Sequence, residues 1–321
     1  MSEKEVRNIL NYYYESIKND KYLKKHFKDY KDLLFGVEEY PLKEGPLRYF
    51  SNDEIITLVG NFLKEYYPDL YDTYLLHSKL KLAIYPKKDL EEYIGMSKEE
   101  ILTTKKKLPP LTLEEAKALL SGEGYYDYIL KDINIVSTND INTAITLIHE
   151  YTHKIYDDFN SKQNTECFYL YTEYLAYLNS FYFGDYLESL GYFSDYEISN
   201  GILFDNIMAA SDIFMLMDDY YKKKPLEETD FELITECLKE DYIPLNDYHH
   251  LIAFLTAFHN YQETKDIDLS KRCDILAKDL SKTVDSKVMA ETGLDLQDKR
   301  LIKKYTKKKS EIFFCRKTYW F

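Results

Sequence analysis

A strand-like stretch followed by an amphipathic helix is the feature that most constrains how this chain folds. Towards the end of residues 128–136, Ile133 and Ile135 flank Asn134, which is the alternation of a half-buried strand. Side chains that cap helices follow, and apolar residues then recur at helical spacing. The pattern predicts a strand over 128–136 and a helix over 140–157. The apolar side of this helix consists of Ile141, Ala144, Ile145, Ile148, Thr152 and Ile155.

Two histidines lie at the margin of that apolar stripe. His149 and His153 are four residues apart, so a helix presents both on one face and both can hold a single metal ion. Glu150 points further from the predicted core and can reach a water molecule bound to such an ion. The His-Glu-x-x-His spacing therefore predicts a zinc site on a polar shoulder of the helix. The alternative is a pair of surface histidines that bind no metal.

A catalytic zinc site needs a third protein ligand. One clan of zinc peptidases supplies it through a glycine and a further histidine, but Tyr156 and Phe159 occupy those positions here. A carboxylate from a neighbouring helix is the other common solution. Glu173 is the predicted ligand, because its neighbours are almost all apolar and a buried carboxylate needs a cation. Glu166, one heptad earlier, is the alternative.

The His-Glu-x-x-His motif followed by Glu173 resembles the gluzincin zinc metallopeptidases. The resemblance covers about residues 128 to 180 and implies a zincin-like catalytic core. It implies one Zn²⁺ ion bound by His149, His153 and Glu173, with Glu150 as the general base. It also implies that the strand before the motif helix is the sheet edge along which a substrate peptide lies.

The chain differs from one branch of the gluzincins at a position close to the ligand glutamate. The thermolysin-like gluzincins have an acidic residue one turn after the ligand glutamate, where this chain has Tyr177. The Glu-x-x-Ala form of Glu173 to Ala176 is instead similar to several intracellular gluzincins, including the regulatory peptidases that cleave phage-type repressors. The subfamily is therefore left open.

A side chain that stabilises the oxyanion of the transition state is expected in addition to the metal. Downstream of the motif the chain offers Tyr248, His249, His250 and His259, and each is more typical of a structural role. Among them, Tyr248 and His249 are the candidates for such a stabiliser.

Charge and hydropathy narrow the partners of the protein. The formal net charge is −14, whereas a nucleic-acid-binding surface is basic, so no nucleic-acid partner is predicted. Basic residues concentrate at 299–317, which we interpret as a solvated helix face rather than a patch for membranes or polyanions. The nearly apolar segment 167–184 contains Glu173 and Asn179, which favours a buried helix over a membrane span. A peptide or protein is the expected substrate.

Cysteine spacing and the first residues bear on the compartment. The cysteines are Cys167, Cys237, Cys273 and Cys315, too widely spaced to predict a disulfide framework or a thiolate zinc site. The first residues are charged and lack the apolar segment of a secretory signal. These features predict a cytoplasmic protein, with leaderless export as the alternative.

Local signals favour a mainly α chain of the α+β class with a small mixed sheet. Capping boxes begin at Ser51, Ser97 and Thr112, and each marks the start of a helix. A second long helix is predicted over 165–190. The 33 tyrosines are interpreted as core-filling residues, together with phenylalanine.

A connector divides the predicted organisation in two. Residues 105–110 contain three lysines and two prolines, which is typical of a link between folded units. We expect an N-terminal helical lobe over 1–108 and a zincin-like catalytic domain with a C-terminal helical part over 109–321.

The sequence predicts a zinc-dependent metallopeptidase that hydrolyses peptide bonds. One alternative is a catalytically inactive zincin-fold regulatory or binding protein, although such a role has no need of Glu150. The other is a leaderless effector protease.

Overall fold

The computed structural model describes residues 49–160, 166–192 and 263–285, together with isolated positions such as Phe254, Asn260 and Tyr261. Within these ranges the chain is mainly helical, with eight helices and a small mixed three-stranded sheet, which confirms the predicted class. The helices are α1 (Asn52–Tyr66), α2 (Pro68–Leu80), α3 (Lys87–Gly95), α4 (Lys98–Thr103), α5 (Leu113–Gly122), α6 (Ile141–Asn160), α7 (Glu166–Ser189) and α8 (Leu269–Leu280). The strands are β1 (Leu82–Pro86), β2 (Gly124–Tyr126) and β3 (Ile133–Ser137).

Strand β3 lies at the centre of the sheet, in the order β1-β3-β2. Strand β1 pairs with it in parallel and β2 pairs with it antiparallel. The prediction of a sheet edge at 128–136 is therefore wrong, since both sides of β3 are paired and the strand begins only at Ile133. Residues 127–132 form a turn instead, because the Asp127 carboxylate accepts backbone N–H bonds from Ile129 and Leu130 at 2.7 and 2.8 Å.

Helices cover both faces of this sheet. Ile133 and Ile135 are fully buried in the main core, on the face towards α6. Val136 packs in a second cluster, with Leu90 of α3 and Leu119 of α5. The alternation along β3 thus assigns the motif helix to one face and the smaller helices to the other.

Helix α6 carries both histidines and extends three residues beyond its predicted end. Buried residues occur all round it, because β2, β3 and α7 pack against it from different sides. The predicted polar shoulder is therefore wrong in one respect: His153 and Glu150 are both buried, and Glu150 does not point away from the core.

Helix α7 follows α6 in the chain, packs against it and supplies a large share of the described core. It begins one residue after the predicted start and ends one residue before the predicted end. Leu175, Ala176 and Phe183 on this helix are buried. No helix in the described ranges has both the length and the apolar character needed to cross a bilayer.

Tyrosine fills much of the described core, as its abundance predicts. The fully buried tyrosines are Tyr74, Tyr151, Tyr156 and Tyr171. Their hydroxyls find backbone acceptors: Tyr74 donates to the carbonyl of Ile56 at 2.8 Å, and Tyr156 donates to the carbonyl of Lys282 at 3.1 Å. Each ring therefore contributes apolar area without leaving its hydroxyl unsatisfied.

All three predicted capping boxes are confirmed. The side chains of Ser51, Ser97 and Thr112 each accept a backbone N–H bond, and the glutamate three residues later returns to the cap. Residues 104–112 form irregular chain, as predicted for the connector. The boundary at residue 108 stays a prediction; β1 and α1, which precede it, share the sheet and the main core with elements that follow it.

Gly124 allows β2 to approach α6 closely. A Cβ atom at this position would lie 2.7 Å from Cγ2 of Thr146 and 2.9 Å from Cγ2 of Ile135. It would also lie 3.4 Å from Cγ of Glu150. Two of these distances are below van der Waals contact, so a side chain here forces the strand away from the helix.

The substitution Gly124→Ala is expected to lower the free energy of unfolding by about 1–3 kcal/mol, as overpacking of a close contact does. Gly95→Ala is the matched control, because a Cβ atom there meets no atom within 4 Å. The control should keep wild-type stability in urea unfolding. Equal stability of the two variants would show that β2 tolerates displacement from α6.

Candidate metal centre

Two helices bring three potential ligands together. Helix α6 presents His149 and His153 on adjacent turns, and α7 brings Glu173 between them. Nε2 of His149 lies 3.2 Å from Oε2 of Glu173, and Nε2 of His153 lies 3.3 Å from Oε1. The two imidazole rings meet edge to face, with centroids 4.9 Å apart. Each carboxylate oxygen thus faces one imidazole nitrogen.

These separations are compatible with a metal ion bound by all three residues. One ligand atom from each of the three residues can be chosen so that all lie within 4.8 Å of one another. Tetrahedral zinc with bonds of about 2.0–2.1 Å places its ligand atoms roughly 3.3 Å apart. The two nitrogen–oxygen distances are close to that value, although each involves a different oxygen of Glu173.

One of the three side chains is buried, and the other two are partly exposed to solvent. The side chain of His153 is 5% exposed, whereas those of His149 and Glu173 are 15% and 16% exposed. A catalytic metal keeps one open coordination position, so partial access at two of the three ligands suits such a site.

Two side chains contact the far nitrogen of His153. Oγ1 of Thr172 lies 2.8 Å from Nδ1, and the hydroxyl of Tyr128 lies 3.4 Å from both Nδ1 and Oγ1. The ring of His149 packs instead against Tyr177, with centroids 4.8 Å apart at 68°. A hydroxyl therefore orients one histidine and an aromatic ring the other.

Glu150 is buried beside β2, where its Cγ approaches Gly124. The pKa of the Tyr128 phenol responds to the acidic groups nearby. Burial raises the pKa of this phenol most, and the charges of Glu173 and Glu150 raise it further. Both carboxylates thus act on one hydroxyl next to the histidines, and Tyr128 stays protonated at neutral pH.

Asp157, one turn beyond His153, connects the motif helix to the turn at 127–132. Its Oδ2 accepts the hydroxyl of Tyr126 at 2.7 Å and forms an ion pair with Lys131. Burial raises the pKa of the Tyr126 phenol, and the bond to Asp157 adds to the effect. Both partners of Asp157, Tyr126 and Lys131, lie earlier in the chain, by 31 and 26 residues.

Sequence reasoning missed Thr172 and Tyr128 as neighbours of the site, since nothing local distinguishes them. Of the predicted residues, the structure brings together His149, His153 and Glu173 and places Glu150 next to them on α6. Tyr248 and His249 lie outside the described residues, as does the side chain of Glu166.

Comparisons with known protein families, with curated proteins and with solved structures give no match. The site is therefore interpreted from its own geometry. His149, His153 and Glu173 form a cluster that can bind a metal ion.

Proposed function

We propose that this protein is a zinc-dependent metallopeptidase. The observation that supports the proposal is the convergence of two imidazole nitrogens and one carboxylate at zinc-ligand separations. His149, His153 and Glu173 would hold the ion within a zincin-like core. Two nitrogen donors and one oxygen donor with an open position are a common set for catalytic zinc.

Zinc held by these residues would supply a Lewis acid that polarises a carbonyl and lowers the pKa of water towards 7. Glu150 would accept a proton from the attacking water and pass it to the leaving amine. Glu150 is buried beside β2, which would limit proton exchange between its side chain and bulk solvent. Hydrolysis of an amide bond needs both proton transfers. A carboxylate directly after His149 is placed to perform them.

Strand β2 gives a peptide a place to bind. It lies beside Glu150, and among the described residues it pairs only with β3, on one side. An extended peptide can pair with the other side of Gly124–Tyr126 through backbone hydrogen bonds. The proposed substrate is therefore an unfolded or extended polypeptide segment rather than a small ester or sugar.

The test is metal content together with cleavage of a peptide library. The purified protein should contain close to one zinc per chain and cleave library peptides. A chelator should abolish cleavage, and added zinc should restore it. Zinc without any cleavage would favour a binding protein, and a protein that takes up no zinc would refute the proposal.

A further inference from the structure

The ring of His153 is held at both nitrogens by neighbouring residues of one helix. Glu173 faces Nε2 at 3.3 Å, and Thr172 faces Nδ1 at 2.8 Å. Thr172 is 1% exposed, and the His153 side chain is 5% exposed. Water therefore has little access to Nδ1, and Thr172 is the nearest partner of that nitrogen among the described residues.

The direction of this hydrogen bond decides whether His153 can bind a metal. A neutral imidazole carries its hydrogen on one nitrogen only. If Thr172 donates to Nδ1, the hydrogen sits on Nε2, which then bonds to Glu173 and has no lone pair for an ion. If Thr172 accepts from Nδ1–H, the lone pair of Nε2 points at the ligand cluster.

Tyr128 allows Thr172 to act as the acceptor. Its oxygen is 3.4 Å from Oγ1 of Thr172, so the threonine hydrogen can turn towards it and away from Nδ1. The same oxygen is 3.4 Å from Nδ1, whereas Oγ1 of Thr172 lies 2.8 Å from it, so Thr172 is the nearer partner of that nitrogen. The three groups thus form a chain in which Thr172 stands between the phenol and the imidazole.

We propose that Thr172 is a positioning residue of the metal centre: its hydroxyl oxygen accepts Nδ1–H of His153 and keeps Nε2 available as a ligand. This inference rests on the proposed function, because it concerns the ligand set of the same zinc ion. Outer partners of metal-binding histidines fix the tautomer and the ring orientation, and a hydroxyl performs this task here.

The experiment compares Thr172→Val, which removes the hydroxyl at nearly constant shape, with Thr172→Ser, which keeps it. Dissociation constants for zinc and cobalt are measured by competition with a chelating dye, and the visible spectrum of the cobalt form is recorded. Thr172→Val should bind both metals about 10–100-fold more weakly and shift the cobalt spectrum. Thr172→Ser should restore the wild-type values. Should Thr172→Val fail to fold, Thr172→Ala takes its place.

Thr152→Val is the matched control. Thr152 is a buried threonine beside His153, but its hydroxyl bonds the carbonyl of Ile148 and the amide of Asn179, not the imidazole. It should lower the melting temperature and leave metal affinity unchanged. An equal loss of affinity in Thr152→Val and Thr172→Val would overturn the proposal, as would wild-type affinity in Thr172→Val. A wild-type protein that binds neither metal would refute the proposed function itself.

Discussion

Replacing Glu150 with glutamine is expected to lower kcat/KM for peptide cleavage by about 10²–10⁴-fold while zinc stays bound, because the change removes the general base and no ligand. Glutamine keeps the size of the side chain, so the contact with Gly124 and the packing of β2 on α6 should remain. Zinc content and cleavage of the best library peptide are measured on the same preparation.

Asp158→Asn is the matched control for this result. It is the same chemical change on the same helix, at a side chain that is 48% exposed and paired with Lys154. Cleavage and zinc content should both remain at wild-type values. Undiminished cleavage by Glu150→Gln would assign the base to another residue.

Removing the third ligand should have the other large effect. Glu173→Ala is expected to weaken zinc binding by more than about 100-fold, since changes to outer partners alone cost 10–100-fold. The reason is geometric: both imidazoles face this carboxylate, at 3.2 and 3.3 Å. Zinc at a thousand times its dissociation constant stabilises a folded protein by about 4 kcal/mol. The melting temperature of the wild type should therefore rise with zinc, and that of Glu173→Ala should rise much less at the same zinc concentration.

The variant Glu166→Ala distinguishes between the two candidate ligands on α7, Glu166 and Glu173. It should keep wild-type zinc affinity, and its melting temperature should respond to zinc normally. The reverse pattern, with zinc lost in Glu166→Ala and kept in Glu173→Ala, would move the site one heptad earlier on the helix.

Features encoded within a few residues could be predicted from the sequence. The three capping boxes depend on side chains within the first turn of each helix. Glu173 could be identified because its neighbours are apolar, and a carboxylate in such surroundings needs a partner. The structure places that carboxylate against both histidines, as this reasoning requires.

Features that depend on distant pairing could not be predicted. Strand β1 is five residues long and β2 only three, so neither shows a clear periodicity. The central position of β3 follows from both of them, which is why its assignment as an edge is wrong. The burial of Glu150 could not be predicted for the same reason. It depends on β2, and the arrangement of residues around α6 does not show that a strand packs at this position. Thr172 lies beside His153 only through the packing of α7 on α6.

The turn at 127–132 is attached to two helices at once. Lys131 joins it to Asp157 on α6, and its carbonyl lies 3.0 Å from Nε2 of His77 on α2. Lys81 bonds the carbonyl of Leu130 at 3.1 Å. Sliding of the β2–β3 hairpin along α6 would have to break the ion pair between Lys131, whose side chain is 43% exposed, and Asp157, whose side chain is 5% exposed. These bonds oppose displacement of β2 relative to the histidines of α6, so a peptide paired with β2, as the proposed function requires, would keep its position relative to the three ligands.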